Sequence, residues 1–230
     1  MRGLLSVPLL AVLTILFGLP AIACAAFGAR RATRRVTTAW ARTLLRVVGV
    51  KVVVEGLRHV PAEAAVYVAN HGSVLDFPVL FGHLPVDFRI IHKRSLHLVP
   101  VVGLYLYAAG HIAIDRVSGF RALRSLERAA ERIRRGSSVL VFPEGTRSAL
   151  GDVAPFKKGS FLLAVRAGAP VVPISLAGVK VVMPAGLRGM RTGTVHLIVH
   201  PPVATLGRGP EEAAALAEAA RRVVIAGCAA

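Results

Sequence analysis

The sequence predicts an α/β domain, with a mostly buried central sheet of about seven strands covered by helices, preceded by an N-terminal membrane-associated helical segment. Two observations carry this prediction. Beyond Gly49, short β-branched runs alternate with helix-patterned stretches, the order expected when a sheet is covered on both faces by intervening helices. Before it, Leu4 to Phe27 is a largely apolar run of 24 residues, enough to cross a hydrocarbon core of about 30 Å as a helix.

The apolar run has three readings. It crosses as one helix, it breaks at Gly18-Leu19-Pro20 into two short helices that dip into one leaflet, or it is a cleaved signal peptide. Arg30, Arg31, Arg34 and Arg35 follow directly, which opposes export and favours keeping the rest of the chain on the cytoplasmic face of the membrane. From Arg31 to Val48 the pattern is helical: Val36, Trp40, Leu44 and Val47 share one face, and Arg31, Arg35, Arg42 and Arg46 the other. This helix either lies in the membrane interface or packs on the domain with its arginines in water. Residues 1–48 are thus expected to form a membrane-associated segment, and residues 49–230 the catalytic domain.

Within 49–230 the expected strands are Val50–Val54, Ala65–Ala69, Phe88–His92, His111–Asp115, Ser138–Phe142, Val171–Leu176 and Val195–Val199. Helical patterns cover Val74–Gly82, Gly119–Arg135, Ser160–Ala167 and Glu211–Ile225. No internal repeat or second-domain linker interrupts them.

The formal net charge is +17, from 29 Lys and Arg against 12 Asp and Glu, which points to a polyanionic partner. A mean hydropathy of +0.62 and aromatics that are not interleaved with basic residues select anionic membrane lipids over nucleic acid. Two cysteines, Cys24 and Cys228, are too few for a disulfide framework and fit a reducing compartment.

Two segments carry the chemistry. In Asn70-His71-Gly72-Ser73-Val74-Leu75-Asp76 a histidine follows a strand and a carboxylate lies five positions on. The two side chains can meet only if His71 sits on the turn and Asp76 in the first helical turns, where the carboxylate would fix the imidazole tautomer for general-base work. A Ser73-His71-Asp76 triad is disfavoured, because His71 and Ser73 are two apart and no Gly-x-Ser-x-Gly elbow occurs. A metal site is not expected either, since no His-Glu-x-x-His pair or cysteine pairing supplies ligands. In Phe142-Pro143-Glu144-Gly145-Thr146-Arg147-Ser148 a glycine-containing turn ends in arginine. Gly145 and Thr146 could offer backbone N–H groups to a developing oxyanion, and Arg147, like Arg116 at the end of the fourth strand, is suited to bidentate phosphate binding.

With Gly110-His111-Ile112-Ala113-Ile114-Asp115-Arg116 and Val171-Val172-Pro173-Ile174, these blocks form an ordered set of four that resembles the glycerolipid acyltransferase family, in particular the bacterial 1-acylglycerol-3-phosphate acyltransferases. The resemblance runs from about Val50 to Val203 and includes Lys93-Arg94-Ser95-Leu96 and Phe156-Lys157-Lys158-Gly159. It implies transfer of an acyl group from acyl-CoA or acyl-carrier protein to a lysophosphatidate hydroxyl, with no cofactor. It further implies catalytic roles for His71 and Asp76. Acceptor phosphate binding would fall to Arg116 and Arg147, in a pocket shaped by Glu144 and Gly145 and bordered by Lys93 and Pro173. Two alternatives remain open: another lysolipid acceptor such as a lyso-ornithine lipid, or a non-catalytic basic membrane-binding protein.

Overall fold

The computed structural model describes residues 2–114, 119–147, 153–183 and 191–229. Among these, seven strands form one sheet: β1 (Val50–Glu55), β2 (Val66–Ala69), β3 (Phe88–Lys93), β4 (Ile112–Ile114), β5 (Ser138–Val141), β6 (Val171–Ala177) and β7 (Gly193–Val199). Their order is β1-β7-β6-β2-β5-β3-β4, and every neighbouring pair is parallel except β6 with β7. Each expected strand is present, with ends displaced by a residue or two.

The helices are α1 (Arg2–Ala26), α2 (Arg30–Val47), α3 (Asp76–His83), α4 (Val102–Ala108), α5 (Gly119–Arg134), α6 (Gly159–Ala167), α7 (Val179–Val182) and α8 (Ala213–Ala229). Two of them, α4 and α7, are too short for a helical period to show in sequence. One sheet face is covered by α2, α3 and α7 through Leu44, Leu45, Val79, Leu80, Val179 and Val182. The other is covered by α5, α6 and α8 through Ala129, Ile133, Phe161, Ala164, Leu216 and Ala220. Because β2, β5, β3 and β4 are parallel, their C-terminal ends share one edge, the usual place for a site in an open α/β sheet.

The N-terminal run is a single helix that continues through Pro8 and Pro20, so the two-helix reading is corrected. Gly18 serves contact instead of a break: a Cβ there would lie 2.6 Å from Val101 Cγ1, so the missing side chain lets α1 close onto the turn before α4. The outward side of α1 is apolar and uncovered, with Val12, Leu16 and Leu19 all more than half exposed.

Helix α2 packs on the domain. It buries Thr33, Thr37, Ala41, Leu44 and Leu45, and Val47, expected on the apolar face, is 46% exposed. Thr38 Oγ1 donates to Phe81 O (3.0 Å) and Arg42 Nε to Gly82 O (2.8 Å), pinning α2 to α3. Leu44, Leu45 and Val48 belong to the same core as the sheet, so a boundary after Val48 cuts through packed structure.

The two N-terminal helices are therefore separable by truncation. Deleting residues 1–28 should release much of the protein from membranes and keep a cooperative unfolding transition. Deleting 1–48 also removes several buried side chains at about 2–5 kcal/mol for each large one, comparable to the whole stability of a domain, and should leave it unfolded. Vesicle flotation and circular dichroism distinguish the outcomes; unchanged flotation of the shorter deletion would contradict the anchoring role of α1.

Candidate active site

His71 lies on the loop after β2, and Asp76 is the first residue of α3. The turn between them brings His71 Nδ1 to 2.6 Å from Asp76 Oδ2. The same carboxylate oxygen accepts the Gly72 and Ser73 backbone N–H groups, each at 2.9 Å, so the loop wraps around a fully buried carboxylate. The imidazole stacks on Phe142, with ring centroids 4.2 Å apart, and meets the Phe77 ring edge-on at 5.7 Å. With Nδ1 committed to Asp76, Nε2 is the nitrogen available to a substrate. Ser73 Oγ instead points to Met183 Sδ at 3.1 Å and accepts the Leu75 N–H, so it takes no part in a triad.

Burial pushes the Asp76 carboxyl above its ordinary 3.8, against the opposing pull of the bonds from His71, Ser73 and Gly72. The folded chain then holds this proton more tightly than the unfolded chain. The resulting stability is fully present below about pH 3.8 and is lost as pH rises through the folded-state value. Asp76→Asn should therefore flatten the decline in stability as pH rises above about 3.8, which denaturant midpoints of the two proteins would show. An identical decline in both would place the titration elsewhere.

Two further side chains hold the histidine loop. Asn70, at the end of β2, donates from Nδ2 to Leu176 O (3.0 Å) and accepts Leu176 N–H on Oδ1 (2.8 Å), stitching β2 to β6. Glu144 is buried in the turn after β5. Its Oε1 accepts the His71 N–H at 2.6 Å, and its Oε2 the Ala154 N–H at 3.0 Å. Both oxygens accept from backbone, so Glu144 braces the two motif loops.

Gly145 adopts φ +77°, which explains glycine at this point of the turn, and its N–H donates to Phe142 O at 3.1 Å. That N–H closes the turn. Thr146 and Arg147 follow it, both exposed. Arg116 lies outside the described residues. Lys93 ends β3, exposed, on the same sheet edge as His71 but two strands over, roughly 10 Å by strand spacing. Pro173 is buried inside β6 opposite Val68 and accepts the His200 N–H on its carbonyl, so it is part of the sheet. His111 is buried, with Nδ1 accepting the Ile90 N–H (2.9 Å), and burial together with Arg89 lowers its pKa to about 3. It is not a spare base.

Two cavities lie near this centre. One, of about 300 Å³, is almost wholly apolar and lies between α1, α2, α3 and α4; Phe17, Trp40, Leu44, Phe77, Pro78 and Val101 contribute to its wall. The other, of about 240 Å³, is lined by His71 itself with Gly72, Glu144, Gly178, Lys180 and Cys228. Phe77 touches His71 and lines the apolar cavity, so the imidazole stands where the two compartments approach each other. Lys180, which sequence reading passed over, lies against Gly72, and its Cγ and Cε would each be 3.1 Å from a Cβ there.

Comparison with known proteins places the sequence and the fold. The family model described as Acyltransferase matches residues 51–177. A 1-acyl-sn-glycerol-3-phosphate acyltransferase of Chlamydomonas reinhardtii is 43% identical over 61% of this chain and 42% of its own length. The human 1-acyl-sn-glycerol-3-phosphate acyltransferase alpha is 36% identical over 77% of this chain and 63% of its own. The chain thus spans less than two thirds of these curated relatives. The crystal structure of the 1-acyl-sn-glycerophosphate acyltransferase PlsC from Thermotoga maritima superposes with a TM-score of 0.77 at 30% identity, covering 100% of this chain and 97% of that one. A family match across more than half of the sequence and a shared fold over its full length show that this chain belongs to the Acyltransferase family.

Proposed function

We propose that the protein moves a fatty acyl group from an acyl thioester, acyl-CoA or acyl-carrier protein, to the sn-2 hydroxyl of 1-acylglycerol 3-phosphate, giving phosphatidate. One observation carries the reading: a carboxylate-oriented imidazole lines one cavity and touches Phe77, which lines a second, almost wholly apolar one. His71 Nε2 takes the proton of the acceptor hydroxyl, and Asp76 stabilises the imidazolium that forms. The hydroxyl oxygen attacks the thioester carbon, the tetrahedral intermediate collapses, and the thiolate leaves with the proton that His71 returns. Two substrates give two products, so the balance calls for no cofactor and no covalent enzyme intermediate.

The apolar cavity suits an acyl chain, and its wall includes α1, the helix that in this reading enters the membrane from which the acceptor comes. Arg147, Lys93 and Lys180 supply cations on the His71 side for an acceptor phosphate, and Arg116 joins them in this reading by resemblance. The relatives' names give the acceptor as 1-acyl-sn-glycerol 3-phosphate, which supports that choice over other lysolipids. Anchoring by Pro8–Ala26, a stretch of mean hydropathy 2.4, together with the arginines that follow it, supports placement on the cytoplasmic face.

Acceptor identity is tested by assaying the purified protein with one acyl thioester and a panel of lysolipids. The reading expects lysophosphatidate to give the highest kcat/KM. A higher value for a lysolipid without the phosphomonoester would overturn the acceptor assignment and leave acyl transfer in place.

A further inference from the structure

A third cavity, of about 460 Å³, lies at the junction of α1, α2 and the domain. Neither His71 nor Asp76 lines it. It shares Thr37, Phe81 and Tyr105 with the apolar cavity, so it stands behind the acyl compartment instead of opening onto the reaction centre. Its lining is cationic: Arg30 and Arg34 from α2, Arg89 from β3, Arg132 from α5 and Arg135 from the turn after it, against a single carboxylate, Asp87.

Existing partners do not neutralise this cluster. Arg89 takes both oxygens of Asp87, at 2.6 and 3.2 Å. Arg135 is held by Glu131, which Arg134 shares, and Arg132 has the Gly110 carbonyl. Arg30 and Arg34 have neither an ion-pair nor a side-chain hydrogen-bond partner among the described residues.

Two independent features aim at an anion. Helix α2 starts against electrostatic preference: Ala29 at its N-cap supplies no side-chain bond, its first turn holds no acid, and Arg30 and Arg31 stand at the positive end of the helix dipole. On the opposite wall, His111 is more than nine-tenths buried, and its Nε2 has no hydrogen-bond partner. An anion placed between them relieves the like-charge crowding at the helix start and on the wall together.

We propose that this pocket binds a phosphate group, separately from the substrates of acyl transfer. Ala25 and Gly28, at the end of the apolar helix α1, form part of its rim, which places the opening at headgroup level when α1 is in a bilayer. An anionic phospholipid headgroup is thus the favoured carrier of that phosphate, and free inorganic phosphate the other source. A bound headgroup would fix the angle between α1 and the domain, and with it the mouth of the acyl cavity.

The test uses the full-length protein in micelles of a neutral detergent, which carry no surface potential. Dioctanoylphosphatidylglycerol and inorganic phosphate are titrated separately and followed by calorimetry and thermal unfolding, with dioctanoylphosphatidylcholine as the zwitterionic comparison. The double substitution Arg30→Gln and Arg34→Gln changes exposed side chains to a residue of similar helix propensity and should leave the fold intact. Arg35→Gln with Arg46→Gln removes the same charge from the exposed surface of α2 outside the pocket.

The proposal expects saturable binding that the pocket pair weakens by about tenfold or more and the control pair by less than about twofold. Phosphatidylglycerol alone binding identifies a lipid site, and inorganic phosphate competing with it identifies a site for the phosphate group as such. No saturable binding of either probe, or equal losses in the two variants, would overturn the proposal, because the second result is what diffuse surface attraction gives.

Discussion

Replacing His71 with alanine is expected to lower kcat by about 10²–10⁴-fold, the range supplied by a positioned general base, with the thermal transition retained. The fold is expected to survive because His71 stands on a loop at the sheet edge, at the margin of the core to which Phe142 belongs. Neither His111 nor Ser73 is in place to take over: His111 is buried and held neutral, and Ser73 faces Met183. Steady-state kinetics on protein whose fold is verified by circular dichroism gives the answer. Turnover within a few-fold of wild type would remove His71 from the mechanism.

The second large effect is expected from Glu144→Gln. The wild-type carboxylate accepts two backbone N–H groups, from His71 and Ala154, and an amide can accept only one of them while turning its own NH₂ toward the other. An unmet buried donor costs about 1–3 kcal/mol, which the loops can relieve only by shifting the His71 backbone. A displacement on the order of 1 Å at the base costs about 10² in rate, so kcat should fall by about that factor with little change in the KM for lysophosphatidate. The opposite pattern, a raised acceptor KM with kcat preserved, would make Glu144 a substrate-binding residue, as the family resemblance implies, and would contradict its role as a brace.

What the sequence revealed of this site followed from distance along the chain. His71 and Asp76 are five residues apart, and only one local geometry lets them meet, so strand, turn and helix start could be read directly. The role of Glu144 could not, because its partners are a backbone N–H 73 residues earlier and another 10 residues later. Side-chain chemistry alone marks Glu144 as a charge near an arginine; only the folded loops show both oxygens occupied. Asn70 is similar: its position beside His71 signals a strand end, but its clamp on Leu176 spans 106 residues.

The helices show the same limit. The face of α2 that packs on the domain carries Thr33 and Thr37, which read as polar in sequence. In the fold their hydroxyls reach the carbonyls of Ala29 (3.1 Å) and Thr33 (2.9 Å), and Thr37 also pairs with Tyr105, so both are buried at little cost. Counting Val47 as the inward position therefore rotated the expected face. In α1, Gly18 and Pro20 carry breaker signals that hold for an isolated helix, whereas the contact with Val101 and the second half of the run keep it continuous. The strands were easier to place, because β-branched runs between turn residues leave few alternatives.

The central claim is that an acyl group passes directly from thioester to lipid hydroxyl at His71. Rapid-quench mixing of purified protein with a radiolabelled acyl thioester, in the presence and absence of lysophosphatidate, tests it most directly. The account predicts phosphatidate formed only when both substrates are present, without a burst of thiol release and without label on the protein. Labelled protein that forms before the acceptor is added and is consumed by it would contradict direct transfer.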